Sequence, residues 1–210
     1  MTDARKRITV RDAIRGFYAV LDRADEALAR ALVCEARVLQ VRIKPRSGPC
    51  DAADVLRIAR MARRVCDNAG AALIVNDRID IALAAEADGV HLGQGDLPLE
   101  EARRISADLW IGVSTHDMAQ VRAACQGGAD YLGFGPVFAT TTKERPDPVK
   151  GIAGLRAAVV EAQGRPVVAI GGITAASVTD IYTAGAHAIC AISAVNEARD
   201  PGDAAKRFRA

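Results

Sequence analysis

Two aspartates close apolar runs in the first half of the chain. Asp77 ends ALIVND (72–77), and Asp96 follows GVHLG (89–93), nineteen positions after Asp77. A carboxylate just past a buried strand contributes little to packing. Two of them at neighbouring strand ends offer the hard oxygen ligands that Mg²⁺ prefers, with water and substrate phosphates filling the remaining positions. A helix cap and a turn residue are the alternative roles for either aspartate alone. Upstream, QVRIK sets Gln40, Arg42 and Lys44 at alternating positions, so the three share one strand face. Two cations and an amide on a buried face are costly unless an anion meets them. The arginine fork and the lysine point charge suit a phosphate or pyrophosphate. Salt bridges to other strands, Asp77 included, are the competing explanation.

Further groups lie at later run ends. ATTTK (139–143) sets Thr140, Thr142 and Lys143 in one loop, alternating hydroxyls and an ammonium suited to two phosphate groups. GVSTH (112–116) offers the hydroxyls of Ser114 and Thr115, and His116 reads as the neighbour of a helix cap. AIGGI (169–173) ends on glycines that let a ligand approach the backbone, and Ser193 follows one strand later. His91, inside GVHLG, and His187, ahead of AICAIS, read as structural residues.

Eight short apolar runs must position these groups: 16–22, 38–44, 72–77, 89–93, 110–115, 131–138, 166–172 and 188–193. Most are apolar on both alternating faces, as in parallel strands buried on two sides. Helical patterns lie between them, near 23–35, 51–70, 79–86, 98–106, 117–127, 152–163, 174–184 and 202–209. In the clearest, Val55, Leu56, Ile58, Met61, Ala62 and Val65 make the apolar stripe, Arg57, Arg60, Arg63 and Arg64 take the wet face, Asp51 is the expected N-cap and Gly70 the C-terminal stop. Eight strand–helix units predict a single-domain α/β (β/α)₈ TIM barrel. About 1–15 is an N-terminal extension or helix, 16–195 the barrel and 196–210 a C-terminal helix. A doubly wound sheet is the other α/β option, but no GxGxxG follows the first strand. In a parallel barrel every strand points to one rim. Asp77 and Asp96 then leave adjacent strands about 5 Å apart, able to share one cation.

The 210 residues and the half-hydrophobic composition accommodate such a core. The formal charge of +2 gives no nucleic-acid signature, and no basic block interleaves with aromatics. Five widely spaced cysteines without a CxxC read mostly as small buried hydrophobes. The mixed-charge start carries no apolar signal segment, and no run is long enough for a membrane helix, so a cytoplasmic protein acting on small molecules is expected. Homo-oligomerisation is left open.

The rim thus combines a metal site, a strongly cationic anion site and a backbone-donor anion site, equipment for joining a phosphorylated acceptor to a donor that loses pyrophosphate. No Ser–His–Asp arrangement is evident. QVRIK, IVNDRIDIALAAEADGVHLGQGD, GVSTH, GFGPVFATTTK and AIGGI, in this order and spacing, resemble thiamine-phosphate synthases (thiamine-phosphate pyrophosphorylases) from about Phe17 to Ser193. The ND…HLGQxD segment and the TxTK loop are the specific parts. The resemblance implies coupling of hydroxymethylpyrimidine diphosphate to hydroxyethylthiazole phosphate, with Mg²⁺, through departure of pyrophosphate before attack. By matching position, it implies that Gln40, Arg42, Lys44, Asn76, Ser114 and Lys143 hold the pyrimidine diphosphate. Asp77 and Asp96 would hold Mg²⁺. Thr140, Thr141, Thr142, Gly172, Ile192 and Ser193 would hold the thiazole phosphate. Arg42, Lys44, Ser114 and Lys143 would serve catalysis.

The chain departs from the family pattern at Ile43, where an acidic residue is usual, at Pro45, at His187-Ala188 in place of Asp-Gly, and at Thr174 in place of Asn. Ile43 and Pro45 bear on how the strand-two cations are presented. A sister branch that isomerises the thiazole phosphate carries His where this chain has Pro136 and lacks the TxTK loop. A non-catalytic thiamine-phosphate or phosphate binder would not need the metal and leaving-group residues. A phosphosugar epimerase would need an acid/base pair at the rim.

Overall fold

The computed structural model describes residues 8–43, 51–140 and 148–209. Eight parallel strands close into a barrel in sequence order: β1 Gly16–Leu21, β2 Ala36–Val41, β3 Ala72–Asn76, β4 Gly89–Leu92, β5 Trp110–Thr115, β6 Tyr131–Phe134, β7 Val167–Ile170 and β8 Ala188–Cys190. β8 pairs back onto β1 through Gly16 opposite Ala188, which closes the ring. The strands are bracketed by ten helices among the described residues: α1 Val10–Ala13, α2 Glu26–Val33, α3 Ala52–Ala69, α4 Ile79–Ala84, α5 Leu99–Ile105, α6 Met118–Gln126, α7 Gly151–Glu161, α8 Val178–Thr183, α9 Ser193–Asn196 and α10 Pro201–Lys206. None is long and apolar enough to cross a membrane.

Strand alternation sorts the core into two bodies. On β1 and β2, Phe17, Ala19, Leu21, Leu39 and Val41 face outward to the helices. Tyr18, Val20 and Val38 point into the barrel, where Ile74, Tyr131, Val168 and Cys190 join them. The interior is therefore filled by side chains, as in other barrels of this size. α1 packs Ala13 and Ile14 against this inner body.

α3 follows the expected pattern. Ile58, Ala59, Ala62 and Val65 are buried, and Gly70 ends it with φ 67°, a conformation glycine takes without Cβ strain. Asp51 occupies the N-cap position but makes no capping bond through its side chain. The cysteines of the described residues are mostly buried, as expected. Cys66, Cys125 and Cys190 are buried, but Cys34 follows the last turn of α2 and is exposed. Cys50 lies outside the described residues.

The rim at which the strands begin is tied by a repeated device. Asp88, just before β4, accepts the Leu73 N–H (2.8 Å) of β3; Asp130, just before β6, accepts the Ile111 N–H (2.7 Å) of β5. Asp130 also receives Arg103, and Asp88 receives Arg63, whose side chain is mostly buried against it and not on the wet face that the helical pattern of α3 predicts. His187 takes the corresponding place before β8. Its Nδ1 accepts the Val167 N–H (3.2 Å) of β7. The departure from Asp at 187 thus keeps the acceptor and gives up the negative charge. Acceptance needs a neutral ring, and burial, aided by the Arg11 charge, holds the His187 pKa below its usual value.

Candidate active site at the strand-exit rim

The opposite rim gathers the groups singled out from sequence. Asn76 ends β3 opposite His91 of β4. The next residue, Asp77, donates its N–H to the His91 carbonyl (2.8 Å), and its φ of 62° is left-handed. That conformation costs a non-glycine residue about 1 kcal/mol and marks a position held by its surroundings. Asp96 folds back on the turn after β4, its Oδ2 accepting the Gly93 N–H at 2.7 Å. Both aspartates are thereby anchored to one short stretch of chain, residues 91–93, and both are partly exposed. Among the described residues no cluster of three or more His, Cys, Asp or Glu could hold a metal. The donor set is two carboxylates on adjacent strand exits, which fits the sparse protein coordination of Mg²⁺ and not a closed cage.

The expected alternation on β2 is present. Gln40 is buried and turned inward, donating from Nε2 to Tyr18 Oη at 2.9 Å. Arg42 is partly buried, two residues beyond the inward Gln40, and its charge lowers the pKa of both His91 of β4 and Cys190 of β8. Among the described residues it has no carboxylate within ion-pair distance. That removes the salt-bridge explanation for Arg42 within this set. Ile43 faces the other way, packed on the outer core, so its departure from an acidic residue leaves the inward parity of Gln40 and Arg42 intact. Lys44 and Pro45 lie outside the described residues, as do Thr141, Thr142 and Lys143.

Ser114 stands on β5 opposite Gly133 of β6. Its carbonyl accepts Gln94 Nε2 at 2.6 Å, and its Oγ is 2.9 Å from His91 Nε2. His116 donates its N–H to Gln120 Oε1 (2.7 Å) in the first turn of α6, and its Nδ1 lies 2.6 Å from the Gly135 carbonyl. It serves the loop and the start of the helix.

The strand-six and strand-seven exits are fastened together. Val137 and Phe138 donate to the carbonyls of Ile170 (2.9 Å) and Gly171 (3.0 Å). Gly172 has φ 62°, and a Cβ there would lie 2.9 Å from the Ala139 carbonyl carbon. Only glycine lets the β7 turn come this close to the segment leading into Thr140. Ile192 immediately precedes α9, and Asn196 of α9 is buried and donates to the Val20 carbonyl of β1 (2.9 Å). That bond fixes the short helix that opens at Ser193. Thr140, Gly172, Ile192 and Ser193 are therefore on three consecutive strand exits.

Tyr18 and Tyr131 carry no functional signal in the sequence, yet both reach groups of the site. Their hydroxyls are 2.9 Å apart, and Tyr131 Oη lies 3.1 Å from His91 Nδ1. Only strand parity points to them. Tyr18, Gln40, His91 and Tyr131 all fall on inward positions, where a polar group needs a partner. His91 matches its reading as a satisfied interior residue, with both ring nitrogens in hydrogen-bond reach.

The His91 pKa is lowered from 6.5 to about 4, chiefly by burial and also by the Arg42 charge, with Asp96 opposing both. The ring is neutral in the folded protein at neutral pH. The unfolded chain takes up a proton on this residue as pH falls through about 6.5, and the folded chain only near 4. This stabilising contribution is therefore complete above 6.5 and lost as pH drops from there towards 4. In melting temperatures recorded over that interval, His91→Gln is expected to fall less steeply with acidification than the wild-type chain. Parallel curves would show that His91 titrates normally.

A closed parallel barrel with acidic and cationic groups at its strand-exit rim is of the kind that binds phosphorylated small molecules there. Residues 17–195 match the thiamine monophosphate synthase family, and the chain belongs to that family. It is 45% identical over 180 residues to the thiamine-phosphate synthase of Chloroflexus aurantiacus, covering 86% of this chain and 81% of that one. It is 40% identical over 208 residues to that of Salinibacter ruber, covering 99% and 90%. Among solved structures, the thiamine phosphate pyrophosphorylase of Pyrococcus furiosus superposes with a TM-score of 0.85 at 34% identity, over 95% of this chain and 96% of that one.

Proposed function

We propose that the chain is a cytoplasmic, Mg²⁺-dependent transferase of thiamine biosynthesis. It joins 4-amino-2-methyl-5-hydroxymethylpyrimidine diphosphate to 4-methyl-5-hydroxyethylthiazole phosphate, giving thiamine phosphate and pyrophosphate. In a chain of this family, the observation that carries the reading is the anchoring of Asp77 and Asp96 to residues 91–93 at the exit of β4, with Arg42 two residues beyond the inward Gln40 and without a carboxylate partner among the described residues.

In this reading the bond from the pyrimidine methylene carbon to the diphosphate oxygen breaks first, and the electron pair leaves with pyrophosphate. Arg42, Lys44 and Lys143 meet the charge that grows on the leaving group, an electrostatic contribution that is often the largest catalytic effect. Mg²⁺, when held by Asp77 and Asp96, would supply further neutralisation of the diphosphate oxygens. Gln40, Asn76 and Ser114 hold the pyrimidine. Thr140 to Thr142, with the backbone at Gly172, Ile192 and Ser193, hold the thiazole phosphate so that the ring nitrogen faces the electron-poor carbon and forms the new C–N bond. Pro136 and the Thr142–Lys143 pair favour this reaction over thiazole isomerisation.

Lys143 separates the two phosphate assignments. Lys143→Ala is expected to lower kcat by about 10²-fold while the KM for thiazole phosphate changes little. Steady-state kinetics with each substrate varied in turn checks this. A raised KM for thiazole phosphate at unchanged kcat would move Lys143 to the acceptor site.

A further inference from the structure

Five side chains from five strands form a continuous hydrogen-bonded line through the barrel interior. Gln40 (β2) meets Tyr18 (β1), Tyr18 meets Tyr131 (β6), Tyr131 meets His91 (β4), and His91 meets Ser114 (β5), with every step between 2.9 and 3.1 Å. Gln40, Tyr18 and Tyr131 are 4%, 2% and 0% exposed, so water does not compete along this part. Room for the line is built into the backbone. Gly112 stands opposite Tyr131, and a Cβ there would come within 2.5 Å of the tyrosine Oη.

The direction of the line follows from proton counting. Gln40 Nε2 donates to Tyr18 Oη, and the Tyr18 proton is left without a partner in the line unless it goes to Tyr131. Tyr131, accepting from Tyr18, has its own proton left for His91 Nδ1, which must then be the unprotonated ring nitrogen. The one ring proton consequently resides on Nε2 and is donated to Ser114 Oγ. Each internal hydroxyl gives one bond and receives one. At the two ends, Gln40 Oε1 is left as an acceptor and the Ser114 hydroxyl proton as a donor.

We propose that Tyr18, Tyr131 and His91 are positioning residues forming a one-way hydrogen-bond relay, which presents Gln40 as an acceptor and Ser114 as a donor to an aminopyrimidine. Such a ring carries the complementary pair, an amino group that donates and a ring nitrogen that accepts. The ligand part of this proposal rests on the synthase reading above, whereas the relay's direction is a property of the free protein.

The test is long-range ¹H–¹⁵N correlation NMR of the uniformly labelled protein at neutral pH, with the His91 signals identified by their loss in His91→Gln. The expected result is a single Nε2–H tautomer. A Nδ1–H tautomer, or an average of the two, would overturn the proposal, because the line would then run backwards or in both directions. Tyr131→Phe removes one link and leaves the ring in place. It is expected to mix the His91 tautomers and to lower kcat/KM for the pyrimidine diphosphate about tenfold, with the KM for thiazole phosphate unchanged. Tyr18→Phe should act in the same direction and substitutes if the first variant does not fold. An unaltered tautomer in a folded variant would overturn the relay. Protein that shows the Nε2–H tautomer but no coupling activity would uphold the relay's direction and sink the synthase reading instead.

Discussion

Asp77→Ala and Asp96→Ala each leave a folded barrel whose turnover has fallen by roughly 10²-fold or more. The loss is large because the leaving group is a diphosphate. Its charge grows as the carbon–oxygen bond breaks, and a missing carboxylate weakens the hold on the cation that would balance it. Folding is expected to survive for a different reason at each position. Asp77 contributes its N–H to the His91 carbonyl, and alanine keeps that N–H. Alanine tolerates the left-handed φ of 62° poorly, so a modest fall in melting temperature accompanies the change. Asp96 loses its side-chain bond to the Gly93 N–H, a partly exposed contact. Circular dichroism and pyrophosphate release over a Mg²⁺ titration read the two effects apart. The expected pattern is native spectra with both a higher Mg²⁺ requirement and a lower ceiling. Near-normal Mg²⁺-dependent turnover in both variants would remove the metal assignment.

Arg42→Met is expected to lower turnover by about 10²-fold or more and to leave stability unchanged or slightly raised. Arg42 is partly buried, with no carboxylate in ion-pair range among the described residues. A cation kept in that setting costs folding free energy that a bound anion offsets. Methionine fills the same stem volume without the charge. A gain of about 0.5–1 kcal/mol is typical when a residue retained for function is replaced by one suited to packing. Thermal melts with and without pyrophosphate make the distinction. Wild-type protein should gain more from pyrophosphate than Arg42→Met does. A strongly destabilised variant would mean that Arg42 is a structural residue.

The barrel was legible because parallel strands buried on both faces leave continuous apolar runs, and the eight runs coincide with the eight strands. Their ends were less so. The sixth run reads through 138, but β6 stops at Phe134 and its continuation bonds to the β7 exit as a loop. α1 and α9 have four residues each, too short for a helical periodicity to show. The inward placement of Gln40 and Arg42 followed from alternation alone. The two tyrosines did not, since a tyrosine in an apolar strand reads as packing until the partner of its hydroxyl is known. Gly112 escaped for the same reason: its meaning lies in the ring of Tyr131, nineteen residues away. The sequence marks His187 as structural, but only the shared geometry with Asp88 and Asp130 shows what it replaces.

Pyrophosphate release from the purified protein, assayed with both substrates together and with each alone, in the presence and absence of Mg²⁺, is the most direct measurement. Pyrophosphate and thiamine phosphate are expected in equal amounts, only when both substrates and the metal are supplied. Tight binding of either substrate with no release under any of these conditions, or release indifferent to Mg²⁺, would contradict a barrel mouth organised around a departing diphosphate.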